Sequence, residues 1–158
     1  MDEYQSAFMH LAAEEAKYGL AQKEGGPFGA VIVRKGEVLV KAHNEVIKRN
    51  DPTAHAEVMA IRKAGALLAR FDLSDCIIYS SCEPCPMCLA AIHWAKIKYI
   101  YYGCTQEDAA KIGFDDAFLY EIIRGEHPAQ KIGMAQHDRT ICWEAFKQWQ
   151  KNPNDDLS

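Results

Sequence analysis

Apolar positions recur at helical spacing through residues 2–24, with Phe8, Leu11, Ala12 and Ala16 on one face and Glu14, Glu15 and Lys17 on the other. Gly25, Gly26 and Pro27 stop that pattern. Next come FGAVIV (28–33), the turn RKGE and VLVKA (38–42), which predict a β-hairpin. A polar loop from 43 to 53 leads into AHAEVMAIRKAGALLA, where Val58, Ile61, Ala64 and Leu68 repeat at helical spacing, so the HAE triplet opens a helix. CIIYSS (76–81) reads as a short strand, PMCLAAIHWA (86–95) as a helix and KYIYYG (98–103) as a further strand. Strand, helix, strand, helix, strand predicts an α/β fold with parallel neighbours in a sheet covered by helices. Two more helices are expected over DDAFLYEII (115–123) and TICWEAFKQW (140–149), with GEHPAQKIG between them as a loop. No repeat, low-complexity tract or long linker divides the chain, so a single domain over 1–158 is expected.

Composition narrows the class. A chain of 158 residues with 49% hydrophobic and 25% charged residues is ordinary for a globular protein. At that length it buries on the order of two thirds of the surface its unfolded state exposes. No stretch approaches the roughly 18 apolar residues of a membrane span, and MDEYQSAFMH opens with acids where a signal peptide would be basic and then apolar. A cytoplasmic location is expected. In that compartment six cysteines read as thiols or metal ligands, the more so because three of them crowd into CEPCPMC (82–88). Cys76, Cys104 and Cys142 lie in apolar runs and read as buried small hydrophobes, and His10, His43 and His93 as structural residues. A net charge of −4 weighs against nucleic acid as a partner.

Cys85 and Cys88 stand three apart at a helix start with Pro86 in the first turn, so both thiols face one side. Amides at a helix N-terminus favour the thiolate, the form that binds zinc. His55 offers a neutral nitrogen from the other helix start. One His and two Cys make three ligands, and an open zinc site keeps its fourth position for water. The closed alternative makes Cys82 the fourth ligand of a structural Cys3His site. Two features oppose it: Cys82 ends an extended strand outside the helix turn, and Glu57, two residues past His55, has no use in a structural knot. An open site needs such a proton carrier close to its water.

HAE followed by PCxxC is the signature of zinc nucleobase deaminases, in which the glutamate is the acid/base and not a ligand. Beyond it, GGPFGAVIV, NDPTAHAEV, AIRKA, SCEPCPMCLAAIHWA and GFDDAFLYEI resemble the bacterial guanine deaminases of the cytidine deaminase fold, over roughly residues 5–150. The resemblance implies a three-layer α/β/α fold around a five-stranded mixed sheet, one zinc per chain on His55, Cys85 and Cys88, and a homodimer. It also implies hydrolysis of the purine guanine to xanthine and ammonia, with Glu57 carrying protons.

The same resemblance places Asn44 on the base and Phe28 against its ring, with backbone around Ala56 and from Glu83 to Cys85 at the reacting edge. It lays GFDD (113–116) over the pocket, bringing Phe114, Asp115 and Asp116 to the substrate, with Asp116 at the substrate amine and Asp115 as helix cap. Trp94 is a further candidate for the pocket. Other readings stay open: Phe28 as a core strand residue, Asn44 as a turn former, both aspartates as caps, and Trp94 as a core aromatic. Residues 140–158 are expected to form a helix and tail exchanged between subunits. That tail departs from the family, whose chains end in a pocket-closing tyrosine, by ending in Leu157 and Ser158. A guanosine deaminase, a tRNA adenosine deaminase and a zinc-stabilised binding module without catalysis are the competing functions.

Overall fold

The apolar runs GAVIV and CIIY cannot be left half in water, and each needs cover on both faces. The computed structural model, which describes residues 3–126 and 132–153, sets them side by side in a four-stranded sheet of order β2-β1-β3-β4. The strands are β1 (Gly29–Arg34), β2 (Glu37–His43), β3 (Cys76–Cys82) and β4 (Tyr99–Cys104). β1 pairs antiparallel with both β2 and β3, and β3 pairs parallel with β4.

The hairpin and the mixed sheet are as expected; β2 and β3, the strands joined through the helix that the HAE triplet opens, were expected as parallel neighbours, and the sheet corrects that pairing alone. β2 and β3 do run in the same direction, but β1 lies between them. Ala30 to Val33 are buried to 2% exposure or less, whereas Glu37 and Val38 at the start of β2 are exposed. The strand with two apolar faces takes the interior and its hairpin partner takes the edge. The expected fifth strand is also absent among the described residues. Past β4 the chain enters α5 (Gln106–Lys111) and α6 (Ala117–Arg124) and then has no regular structure over 132–138.

Strand alternation sorts the core into two layers. Ala30 and Ile32 join Ile78 and pack with α3 (Ala56–Leu68) and α4 (Pro86–Trp94). Val31 and Val33 join Ile77 and Tyr79 and pack with α1 (Ser6–Ala21). The helix faces against the sheet are built of small residues. In α1 they are Ala12, Ala16 and Gly19, and in α3 they are Ala56, Ala60 and Ala64, with the larger Met59 buried beside them. Val58, Ile61 and Leu68, which the spacing singled out, are only half-buried beside that stripe. Small side chains let the helix axis come close to the sheet, and the larger ones flank the contact.

Two short helices carry too few residues for a periodic signal: α2 (Val46–Arg49) in the polar loop, and α5, which Thr105 and Asp108 close with a capping box. Residues 1–126 form one compact unit and 127–158 a second. The second holds α7 (Arg139–Lys151), where Trp143 meets Phe146 edge-on at 5.2 Å. The expectation for Leu157 and Ser158 falls outside the described residues. Cys76 is buried as expected, but Cys104, at the end of an edge strand, and Cys142 are exposed. Among the described residues no helix is long and apolar enough to cross a membrane.

Gly29 marks the closest approach of α1 to the sheet: a Cβ there would overlap the Ala12 carbonyl oxygen and crowd Ala16 N and Glu15 Cβ. Gly29→Ala is therefore expected to destabilise the fold by about 1–3 kcal/mol or more, the usual scale for overpacking against a rigid neighbour. A urea-unfolding midpoint unchanged from the parent would contradict that packing.

Candidate metal centre and active-site cavity

α3 and α4 each begin on a functional residue. His55 is the N-cap of α3 and Cys85 the N-cap of α4, both in extended backbone, and Pro86 sets the first turn of α4. Cys88, one turn on, comes back to the same side as Cys85. The result is a compact donor set: His55 Nδ1 lies 3.6 Å from Cys85 Sγ and 3.5 Å from Cys88 Sγ. The three ligand atoms all fall within 4.8 Å of one another. Cys82 is not in this set. Its sulfur lies 3.6 Å from the Thr105 carbonyl oxygen, and its thiol is pushed up to about 12, mainly by burial.

Electrostatics favour a cation at the cluster. The S–H of Cys88 donates to Cys85 and His55 stands beside it, holding the Cys85 thiol down at about 4 against the cost of burial. Cys88 is correspondingly pushed up by that shared proton and by burial. The bond to Cys85 raises His55. Glu57, 6% exposed, is raised chiefly by burial, and Asp116 by burial and then by the Cys85 charge. Asp116 Oδ1 is buried with no hydrogen-bond partner among the described residues. A nitrogen and two sulfurs in this disposition, with acids crowded beside them, suit a borderline-soft divalent ion such as zinc.

The cluster opens into a cavity of about 630 Å³, lined among others by His55, Glu57, Phe28, Asn44, Phe114 and Asp116. Phe28 and Phe114 meet edge-on at 5.0 Å with Gly26 beneath them, so one aromatic wall joins the strand start to GFDD. Asn44 is both a turn former and a lining residue, since its Oδ1 accepts from Val46 N at 3.0 Å. The two aspartates separate: Asp115 Oδ1 accepts from Ala117 N at 3.0 Å and caps α6, while Asp116 makes no side-chain cap bond. Ala56 points its methyl into the core, fully buried, and only its backbone lies between lining residues.

Trp94 is not in this cavity. The buried side of α4 is Cys88 and Ile92, and Trp94, two residues further round the helix, is 79% exposed in a second groove between α3 and α4. This corrects both the pocket placement and the core alternative.

Ser80, Tyr120 and the side-chain bond of Glu83, which was read for its backbone alone, escaped the sequence reading. Ser80 Oγ lies 2.9 Å from Glu57 Oε1 and 2.7 Å from the Cys82 carbonyl oxygen. Its one hydrogen serves one acceptor at a time: Ser80 donates to an ionised Glu57, and donates to the Cys82 carbonyl when a protonated Glu57 donates to it. A serine on the α3 face of β3, in line with the apolar Ile78, was the available signal. Glu83 accepts from Gln106 N at 3.0 Å, and Tyr120 Oη donates to the Pro84 carbonyl oxygen at 3.1 Å. These two tie α5 and α6 to the cysteine loop, and no local pattern announces them.

Residues 2–104 match the cytidine and deoxycytidylate deaminase zinc-binding region. The chain is 46% identical over 147 residues to guanine deaminase of Bacillus subtilis (strain 168), covering 93% of this chain and 94% of that one. It is 42% identical over 139 residues to the tRNA-specific adenosine deaminase of Agrobacterium fabrum, covering 88% and 91% of the two chains. An X-ray structure of guanine deaminase from Bacillus subtilis superimposes with a TM-score of 0.91 at 43% identity, covering 98% of this chain and 100% of that one.

Because the Cys82 sulfur stands apart from the three-donor cluster, Cys82→Ser is expected to retain one equivalent of zinc by metal analysis. Stoichiometric loss of the metal in that variant would restore Cys82 as a fourth ligand.

Proposed function

We propose a reaction from the premise that the chain belongs to the cytidine and deoxycytidylate deaminase zinc-binding family: hydrolysis of guanine to xanthine and ammonia, with one zinc per chain. The observation that carries the choice of guanine is the partnerless Oδ1 of Asp116, which shares a cavity with Glu57 and the His55–Cys85–Cys88 cluster. Guanine presents N1–H and a 2-amino group, donors that a carboxylate accepts. Likeness to a guanine deaminase over nearly the whole of both chains supports the same assignment.

His55 Nδ1 and the sulfurs of Cys85 and Cys88 would hold zinc, which when bound supplies Lewis-acid activation of water at neutral pH. Glu57 accepts a proton from the attacking water and delivers it to a ring nitrogen as the oxygen bonds to C2. The C2–N bond then breaks, and the amine, protonated with help from Glu57, leaves as ammonia while Asp116 holds it. Phe28 and Phe114 stack the base, Asn44 hydrogen-bonds it, and Asp115 holds the start of α6 so that Asp116 faces the ring. Burial raises Glu57 and Asp116 toward neutral pH, where a proton carrier works best.

Guanosine is the second reading, because a cavity of about 630 Å³ has room beyond a bare purine. A tRNA substrate is disfavoured by the lining, which carries Glu57, Glu83, Asp115 and Asp116 and, among the described residues, no lysine or arginine. A cytoplasmic homodimer completes the reading. The groove between α3 and α4, with Trp94 79% and Phe71 47% exposed, supports association through that face. In α7, Ile141 is 71% and Phe146 61% exposed, which supports exchange of the segment 140–158 between subunits within one deaminase domain.

Ammonia release from guanine, guanosine, adenine, cytosine and a tRNA anticodon stem, with zinc measured in parallel, tests the assignment. Guanine should be the best substrate, and turnover confined to another member of the panel would replace it. Glu57→Ala should keep zinc while losing about 2 to 4 orders of magnitude in turnover. Asp116→Asn should impair guanine turnover far more than Asp115→Asn, and equal effects would reduce GFDD to a helix cap.

A further inference from the structure

The wall of the cavity that carries Asn44 rests on a buried histidine that the reaction does not use. His43 ends β2 at 7% exposure, and both of its ring nitrogens face carboxylates. Nδ1 lies 2.8 Å from Glu15 Oε2 on α1, and Nε2 lies 2.6 Å from Glu24 Oε2 on the loop after α1. A neutral imidazole has one N–H and one lone pair, and a lone pair aimed at a carboxylate oxygen is repelled. Both nitrogens therefore donate, and the ring is an imidazolium.

The groups around it fit that charge. On α1, Tyr18 meets the ring edge-on at 5.4 Å, and Gly19 leaves it room, since a Cβ there would overlap the imidazole. Lys48 of α2 reaches Glu24 at 3.1 Å and Glu45 at 3.4 Å, and Arg49 bonds Glu45 at 2.8 Å. Glu15, Glu24 and Glu45 are thus balanced by His43, Lys48 and Arg49, which argues against reading Glu24, His43 and Glu45 as a second metal site. Burial, the largest single influence, pushes His43 toward its neutral form, but the hydrogen bonds and charges of Glu24 and Glu15 outweigh it and leave the pKa raised. The bond to His43 in turn holds Glu24 low.

What the clamp grips is the base-binding wall. Asn44 follows His43 directly and donates its backbone N–H to the Phe28 carbonyl oxygen at 3.0 Å. The Glu24 carbonyl accepts from Ile47 N and Lys48 N, each at 3.0 Å, and fixes the start of α2. Gly25 packs so tightly on Asn44 that a Cβ would overlap its side-chain oxygen. We propose that His43, as an imidazolium bridging Glu15 and Glu24, is the positioning residue that sets Asn44 and the 25–28 loop for the purine ring. Because the clamp holds binding groups and touches neither the zinc ligands nor Glu57, its loss acts on KM and leaves kcat in place.

The sign of the pH dependence follows from the raised pKa. The clamp is closed below His43's titration and opens as pH rises through it. The kinetic arm of the test rests on the guanine reading, and the spectroscopic arm does not. In the wild-type protein, nitrogen-15 NMR should show two ring N–H groups on His43 at neutral pH. The side-chain NH2 signal of Asn44 should shift along the same alkaline titration curve. His43→Gln should raise the KM for guanine about tenfold, equivalent to about 1.4 kcal/mol, with zinc content unchanged and kcat within about twofold. It should also remove the component of the KM rise with pH that the wild type shows beyond guanine's own ionisation. Glu15→Gln, a milder change that keeps an acceptor, should raise KM in the same direction and serves if His43→Gln does not fold. A single ring N–H on His43 at neutral pH would overturn the clamp, as would an unmoved Asn44 signal or an unchanged KM in Glu15→Gln. Absence of guanine turnover in the wild type alongside the expected NMR titration would strike the substrate assignment and leave the clamp standing.

Discussion

The direction of three strands governs the rest of this molecule. β2, β3 and β4 run the same way, so their carboxyl ends lie along one edge of the sheet, and β1, running against its neighbours, begins at that edge. Each segment of the cavity leaves or enters there. Asn44 follows β2, Glu83 and Cys85 follow β3, GFDD comes after β4, and Phe28 precedes β1. Helices that begin beyond those strand ends begin beside one another, and His55 and Cys85 meet through their helix starts. An open α/β sheet binds at such an edge because many helix N-termini and loops converge where the backbone ladder ends.

Convergence has an electrostatic consequence. The edge gathers the Cys85 thiolate, Glu57 and Asp116 in partial or full burial, where the thiolate adds to the cost of charging both carboxyls. A divalent cation on the cysteines would offset that repulsion, while burial raises both carboxyls above their ordinary range. Ser80 belongs to this economy of protons, since its hydroxyl can serve Glu57 as either donor or acceptor without leaving the Cys82 carbonyl far away. The core beneath supplies the rigidity that such a site needs, through small-residue helix faces set close against β1 and β3.

Three kinds of interaction divide the walls of the cavity. The metal side is built from helix starts, whose backbone geometry is local and stiff. The GFDD side hangs on two polar ties to the cysteine loop, from Glu83 to Gln106 N and from Tyr120 to the Pro84 carbonyl. The Asn44 side leans on a balanced cluster of charges centred on a buried imidazole. Charge-assisted bonds of that kind orient their partners more tightly than neutral ones, which suits a wall that must present an amide to a flat ring.

His55, Glu57, Cys85 and Cys88 were legible from the chain alone because each pair sits within a single helical turn, and a turn of helix places its side chains by covalent geometry. The hairpin and the main helices were readable in the same way, and likeness to a family pointed to Asp115 as the cap of α6, which it is. Tertiary structure decided what spacing leaves open. It put β1 between β2 and β3 because β1, like β3, is apolar on both faces and its hairpin partner β2 is not. It turned Ala56, Ala60 and Ala64 toward the sheet in place of the larger Val58 and Ile61, and left Trp94 outside on a second groove. It also brought Ser80 to Glu57, and Glu15 and Glu24 to His43, across long stretches of chain. Periodicity along a chain tells which residues share a face, but which surface that face meets depends on every other element that competes to be buried.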